Sequence, residues 1–297
     1  MKHISVLLNE SVDGLNIKAG DVIVDGTLGW AGHSLEILRR FGDSITLICF
    51  DLDKDAILRS KELIGEERKN VFFINRSFDE LDLVLNELGL EKVDKILLDL
   101  GISSFQLEES GRGFTFQKNE PLLMTMKKNP TDEDLTAHEI VNHWSEETLA
   151  DIIYGFGEER FARKIAKAIT LAREEREITN TSDLVSIIEK AVGGHYRGKK
   201  INPATKTFQA LRIATNLELP RLENILNKGF ERLSKEGRFS IITFHSLEDR
   251  IVKKTFVGLS KSGLAINITK KPIIPSSEEI KNNPRSRSAK LRLLEKI

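Results

Sequence analysis

Four short apolar runs, "DVIVD" (21–25), "SITLICFD" (44–51), "NVFFIN" (70–75) and "VDKILLDLG" (93–101), recur through the first hundred residues, with amphipathic stretches such as 56–63 and 78–88 between them. None alternates apolar with polar residues along its length. Each strand must therefore be covered on both faces, the condition of a parallel sheet wound with helices on either side. A fifth run, "GRFSIITFHS" (237–246), follows the turn "KEG" and predicts another strand of the sheet. Roughly 135 residues separate it from the fourth, against the dozen or so that a crossover needs, so a segment is inserted between them.

The insertion, 107–203, reads as helical: "LTAHEIVNHW", "EETLADIIYGF", "ERFARKIAKAITLAREE" and "TNTSDLVSIIEKAV" each carry apolar residues at helical spacing, and Thr181 with Asp183 offers a helix start. The expected organisation is an α/β core of 1–106 and 204–297 interrupted by a helical domain of 107–203. Beyond the fifth strand, "LEDRIVKKTF" predicts a helix, and "LAINITKK" and "SAKLRLLEKI" predict the closing strands. With 40% hydrophobic residues the chain can bury a sizeable core. Its 45 basic and 45 acidic residues cancel, so any polyanionic partner must be met by local patches. The single cysteine, Cys49, lies within an apolar run and reads as a small core residue, as expected in a reducing cytoplasm. There is neither a leader pattern nor an apolar stretch of membrane-spanning length, and the histidines are too scattered for a metal site.

In an open α/β sheet, ligands bind beyond the carboxyl ends of the strands, where "DGTLGWAGHS" (25–34) follows the first strand. Glycines at Gly26, Gly29 and Gly32 do not have the spacing of a dinucleotide loop. Asp25 beside them would repel a pyrophosphate but suits a ligand with a sulfonium and an ammonium group, which favours S-adenosylmethionine over a nicotinamide dinucleotide. Asp51, ending the second strand, is placed to accept hydrogen bonds from ribose hydroxyls. Taken alone, the loop also reads as a turn capped by Asp25, His33 as an ordinary first-turn residue, and Phe78 as the first apolar residue of the helix "FDELDLVLNEL".

"DGTLGWAGHS", "LLDLGISSFQL" (97–107), "RGFTF" (112–116), "YGFGEERFARKIAKAI" (154–169), "NPATKTFQALRIATNLEL" (202–219), "FSIITFHSLEDRIVK" (239–253) and "NPRSRSAKLR" (283–292) together resemble the bacterial 16S ribosomal RNA cytosine-N4 methyltransferases, the MraW family. The likeness runs in order along nearly the whole chain. It implies a class I (Rossmann-like) methyltransferase sheet with an inserted helical domain for substrate recognition. It also implies S-adenosyl-L-methionine as cofactor and, as partner, a cytidine in the decoding region of 16S rRNA in the small subunit. The family's cofactor contacts fall on Ala31, Gly32, His33, Asp51, Phe78, Asp99 and Gln106, to which the charge argument adds Asp25. The loop backbone would hold the methionine end, Asp51 the ribose and Phe78 the adenine face.

The exocyclic amine of cytosine is a poor nucleophile, so an enzyme must hold it in line with the methyl and direct acceptors at its hydrogens. "DLGISS" ends the fourth strand and offers Asp99, Ser103 and Ser104, with Asp99 as the main orienting group. In "FHSLEDR", Ser246 and Asp249 read as a capping box, and His245 as a residue lining either the target pocket or only the strand end. Basic clusters (Arg197, Lys199, Lys200, Lys206 and Arg212; Lys281, Arg285, Arg287, Lys290, Arg292 and Lys296) are the candidate RNA contacts. The mixed-charge run "EERFARKIAKAITLAREERE" reads as a solvated helix face. Relatives typically carry arginine and glycine where this loop has Trp30 and Ala31, and proline where it has Phe105. Charged residues typically stand where it has Leu123, Thr125 and Lys127. Two other classes stay open at this point, a noncatalytic RNA-binding or ribosome-assembly protein and a nicotinamide oxidoreductase. The oligomeric state is open too, a homodimer included.

Overall fold

The computed structural model describes residues 4–198 and 201–297; Lys199 and Lys200 of the first basic cluster lie outside the described residues. The chain forms two compact units, one of residues 1–101 and 219–297, the other of 102–218.

In the first unit, α1 (Leu8–Leu15) precedes β1 (Val22–Asp25), α2 (Gly32–Phe41), β2 (Thr46–Phe50), α3 (Lys54–Ile64), β3 (Val71–Ile74), α4 (Leu81–Glu87) and β4 (Val93–Asp99). Among the described residues seven strands form one sheet in the order β3-β2-β1-β4-β5-β7-β6, with β5 Leu233–Thr243, β6 Ala265–Asn267 and β7 Lys290–Lys296. The first five strands are parallel, and β7 runs antiparallel between β5 and β6. This is the class I methyltransferase sheet that the resemblance implies.

The uninterrupted apolar runs feed two cores by alternation. Ile23, Leu47, Cys49 and Leu97 pack with Val12, Ile37 and Ile57 of α1–α3. Their neighbours Val24, Ile48, Ile96 and Leu98 pack on the other face with Val84 of α4 and with Leu222, Ile225, Val252 and Phe256 of later helices. Period-two alternation between two buried faces leaves no polar position to mark it in sequence. The predicted helix 78–88 divides into a 3₁₀ turn, Phe78–Glu80, and α4.

The second unit holds α5 (Ser104–Glu108), α6 (Ala137–His143), α7 (Glu146–Gly155), α8 (Ala162–Glu175), α9 (Thr181–Val192) and α10 (Thr205–Asn216). Its limits differ from the expected 107–203, because Phe208, Ala210, Leu211 and Ala214 of α10 share one core with Ile140, Ile153, Ile165 and Leu184. α10 ends at Leu217, in the left-handed region at φ 50°. α11 (Glu218–Arg232) then returns the chain to the sheet, followed after β5 by α12 (Ser246–Lys261) and, before β7, by α13 (Ser277–Asn282). Thr181 does not cap α9. The cap position is Asn180, and the Thr181 hydroxyl donates to the Lys118 carbonyl (2.6 Å) while accepting from Glu120 N (3.1 Å). That bonding anchors the segment that carries Leu123, Thr125 and Lys127, in which Leu122 enters the core, Thr125 is buried and Met124 takes φ 50°. Lys127 there pairs with Asp134. No helix among the described residues is long and apolar enough to cross a membrane.

Candidate active site

Parallel pairing carries the ends of β1, β2 and β4 to one edge of the first unit. Asp25 is in register with Cys49 and Leu97, so Asp51 and Asp99 stand two residues further along the flanking strands. The loop between β1 and α2 is fixed almost atom by atom. Gly26 N donates to Leu97 O (2.9 Å), Leu28 N to Phe50 O (2.9 Å) and Ala31 N to Leu28 O (2.7 Å). A Cβ at Gly26 would overlap the Leu98 side chain and lie 3.1 Å from Phe78 Cβ, so only glycine fits. Gly29 (φ 49°) and Ala31 (φ 59°) turn the chain through the left-handed region. α2 then starts with no capping side chain, so its first-turn N–H groups and dipole suit an anion such as a ligand carboxylate.

Asp25 is almost fully buried, at 1% exposure. Its Oδ1 accepts from Thr27 N (3.1 Å) and its Oδ2 from the Ser34 hydroxyl (2.6 Å). The structure thus commits Asp25 to holding the loop, and its influence on a ligand is that of a buried charge, not of an open contact. Burial pushes its carboxyl up to about 6 against the pull of those two bonds. Asp51 accepts from Gly29 N (Oδ2, 2.8 Å) and Asp53 N (Oδ1, 2.8 Å), and burial, aided by the Asp53 and Asp25 charges, raises it to about 7. Each oxygen keeps a second lone pair for a hydroxyl. Asn75 Nδ2 donates to the carbonyls of Asp51 (2.8 Å) and Leu52 (3.1 Å), fixing the strand end beneath.

Asp99 is raised furthest, to about 8, by burial and then by the charges of Asp25 and Glu248. Its Oδ1 is buried and has no hydrogen-bond partner among the described residues. Its backbone N–H donates to Thr27 Oγ1 (2.6 Å), tying β4 to the loop. His33 Nδ1 lies 3.8 Å from Asp99 Oδ2, while Nε2 sits 3.2 Å from the Val6 carbonyl; a carbonyl only accepts, so Nε2 carries the proton in that bond. Phe78, half-buried, packs against the core face shared by α4 and α11. Opposite the loop's entry, Arg59 of α3 lies over the Trp30 indole, 3.4 Å from its centroid.

At the end of β5 the helix cap falls one residue earlier than the sequence suggests. His245, extended at φ −135° and ψ 165°, caps α12: its Nδ1 accepts from Glu248 N (3.4 Å), and Glu248 Oε2 accepts from Phe244 N (2.8 Å) and His245 N (3.3 Å). Ser246 is the first helical residue, and Asp249 pairs instead with Lys290 (2.9 Å) and Arg292 (2.7 Å). Lys296 Nζ binds the carbonyls of Phe230 and Leu233. Lys290, Arg292 and Lys296 of the second basic cluster are therefore engaged within the unit, and Lys281 and Arg287 are exposed. Arg212 of the first cluster is likewise engaged, with Glu218 (2.8 Å).

Asp25, Ala31, Gly32, His33, Asp51, Phe78, Asp99 and His245 all belong to the first unit. Ser103, Ser104 and Gln106 belong to the second, at the start of α5, where Ser103 and Gln106 form a reciprocal capping box (Gln106 N to Ser103 Oγ, 3.2 Å; Ser103 N to Gln106 Oε1, 3.0 Å). Sequence reasoning misses Thr27, Ser34, Asn75 and Glu248, whose parts depend on contacts nine to 72 residues away or on the exact cap position.

The MraW methylase family description matches residues 1–297. Among curated relatives, the chain is 46% identical to "Ribosomal RNA small subunit methyltransferase H" of Clostridium botulinum (strain Kyoto / Type A2) over 100% of this chain and 99% of that one. It is 43% identical to the protein so named in Lachnospira eligens, over 100% of this chain and 98% of that one. Among solved structures, an rRNA methylase from Streptococcus thermophilus matches at 13% identity and a TM-score of 0.44, covering 100% of this chain and 99% of that one, too distant a likeness to carry an argument. On the full-length family match and these close relatives, the chain belongs to the MraW methylase family and is a methyltransferase.

Proposed function

We propose that this chain methylates the exocyclic N4 of a cytidine in the decoding region of 16S rRNA, acting on the small ribosomal subunit in the bacterial cytoplasm. The observation that carries the reading is electrostatic. Asp25, Asp51 and Asp99 end three adjacent strands, burial raises all three, and Asp99 keeps an oxygen sealed and unpartnered. Three crowded carboxylates beside a helix N-terminus form a costly arrangement for an empty crevice. They suit a ligand with a carboxylate at one end and positive charge next to it.

The residues fit S-adenosylmethionine. The N–H groups of Gly32 and His33, beyond the Ala31 N–H that the loop itself uses, hold its carboxylate, Asp51 its ribose hydroxyls and Phe78 one face of its adenine, with Gln106 as a further contact. When bound, the cofactor supplies an electrophilic methyl on a sulfonium. Asp99 accepts a hydrogen bond from the cytosine amine, orients its lone pair and stabilises the charge developing on nitrogen. With an affinity for protons near neutrality, the same carboxylate is the acceptor at hand when the methylated amine loses its proton. His245, at the end of β5, stands on the target side of the first unit, and the helical unit, which begins with the segment of Ser103 and Ser104, recognises the substrate. The target base must be unstacked to reach such a crevice.

The direct test is transfer of labelled methyl from S-adenosylmethionine to small subunits from cells lacking this gene, followed by mapping of the modified nucleotide. Methyl on a cytidine N4 of 16S rRNA is expected. Label on another atom, or no label from a protein that binds the cofactor, refutes the assignment.

A further inference from the structure

The second unit contains a pocket of about 530 Å³ formed between the end of α9 and the start of α10, lined by Glu189, Tyr196, Arg197, Ile201, Asn202 and Pro203. It is a broad, open depression, wide enough for one flat group to lie against its wall. Tyr196 is held in place from behind, its hydroxyl bonded to the fully buried Glu159 carboxylate. That bond and burial push the phenol up to about 12, so it stays a neutral ring wall. Beside the pocket stands a layered group: the His195 ring stacks on Phe161 (centroids 4.4 Å apart, planes 25° apart), the Arg160 guanidinium lies 4.5 Å from the same ring, and Tyr196 meets Phe161 edge-on at 6.4 Å. Arg160, His195 and Arg197 are exposed, as are Arg163, Lys164 and Lys167 on the adjoining helix, and no acidic residue occurs from Gly193 to Thr215.

We infer that this pocket binds one unstacked nucleotide of the substrate RNA, away from the base that is methylated. The inference rests on the RNA-methyltransferase reading above. Sequence-tolerant capture of single strands combines cations that follow the phosphates with flat groups on which a base stacks. Here Arg197, Arg160 and the α8 cations supply the first, and His195 on Phe161 the second. Asn202 accepts from Ala204 N through Oδ1, so its amide nitrogen is the donor it offers, and Glu189 is the acceptor for an exocyclic amine. The mixed-charge start of α8, which in sequence resembles a plain solvated face, thus follows directly on the Arg160–Phe161 pair that stacks with His195.

The test uses the full-length protein and a fluorescein-labelled single-stranded RNA 12-mer, with its duplex as control, read by anisotropy at fixed salt. H195A/R197Q is expected to weaken single-strand binding about tenfold and to change duplex binding much less. It is also expected to raise KM for undermethylated small subunits at nearly unchanged kcat, with cofactor affinity by calorimetry within about twofold of wild type. F161L, which removes the plate under His195, should behave alike, and its cofactor affinity reports whether it folds. Unchanged oligomer affinity and unchanged KM in H195A/R197Q, while the wild type methylates subunits normally, overturn the inference. If the wild type transfers no methyl but single-strand binding still depends on these residues, the proposed function fails and the nucleotide site stands.

Discussion

Binding of the cationic cofactor should drive a proton off the site, and the structure sets the scale. The Asp99 carboxyl, raised from the ordinary 3.8 to about 8, costs on the order of 6 kcal/mol more to ionise than in water. A positive charge about 4 Å away at an effective dielectric near 20 returns about 4 kcal/mol, enough to bring that carboxyl below neutrality. S-adenosylhomocysteine lacks the sulfonium and returns little of this. The ratio of the two affinities should therefore rise between about pH 5 and pH 8, approaching tenfold per pH unit where one proton is released, and level off above. Calorimetry in buffers of differing ionisation enthalpy counts the proton directly. In Asp99→Asn the upper part of the rise should vanish, leaving a weaker dependence near pH 7 from Asp51. A flat affinity ratio with no proton released in the wild type would show that the carboxylates do not face the sulfonium.

The same carboxyls predict the pH dependence of the cofactor-free protein. The fold holds protons that the unfolded chain has already lost, so the site's contribution is greatest below about pH 4 and is lost as pH rises through 6 to 8. Melting scans at pH 5 and pH 8.5 should show a smaller fall for Asp99→Asn than for wild type. Gly26→Ala should cost about 1–3 kcal/mol through overlap with Leu98, whereas Ala31→Gly, which relieves a left-handed alanine, should gain about 0.5–1 kcal/mol; denaturant midpoints separate the two. Arg59→Ala removes a cation–π contact of about 0.5–1 kcal/mol from Trp30. In a Trp144→Phe background it should shift the Trp30 fluorescence and weaken cofactor binding a few-fold, and unchanged emission would separate the stack from the loop.

What the sequence discloses and what it conceals divide along a physical line. The strands and the carboxylates that end them are legible, because a strand buried on both faces needs a long apolar run and an aspartate after it is conspicuous. The loop glycines are legible for a similar reason, since Gly26 leaves no room for a Cβ. The allegiance of α10 is not, because its apolar residues have the same spacing whether they meet α7 or a sheet. Nor is the choice of Glu248 over Asp249 as the acidic member of the cap, which turns on β5 ending at Thr243. The engagement of Lys290 and Arg292 by Asp249 is equally hidden, and it makes a basic tail look freer than it is. The stacking of Arg59 on Trp30 is hidden as well, since the guanidinium comes from a helix 29 positions later.

Val6 and Leu7 pack with Ile242, Leu291 and Leu293, and α1 lies against β5. During synthesis the first helix emerges long before those strands exist, and the whole helical unit must be made in between. At about 5–20 residues per second, the opening half-sheet waits some ten seconds or more with its β4 edge unpaired. The intervening unit has a core of its own and can form during that wait. The sheet edge proposed for the methyl donor therefore gains its backing from β5 and β7 only when the translating ribosome has delivered the opposite end of the sheet.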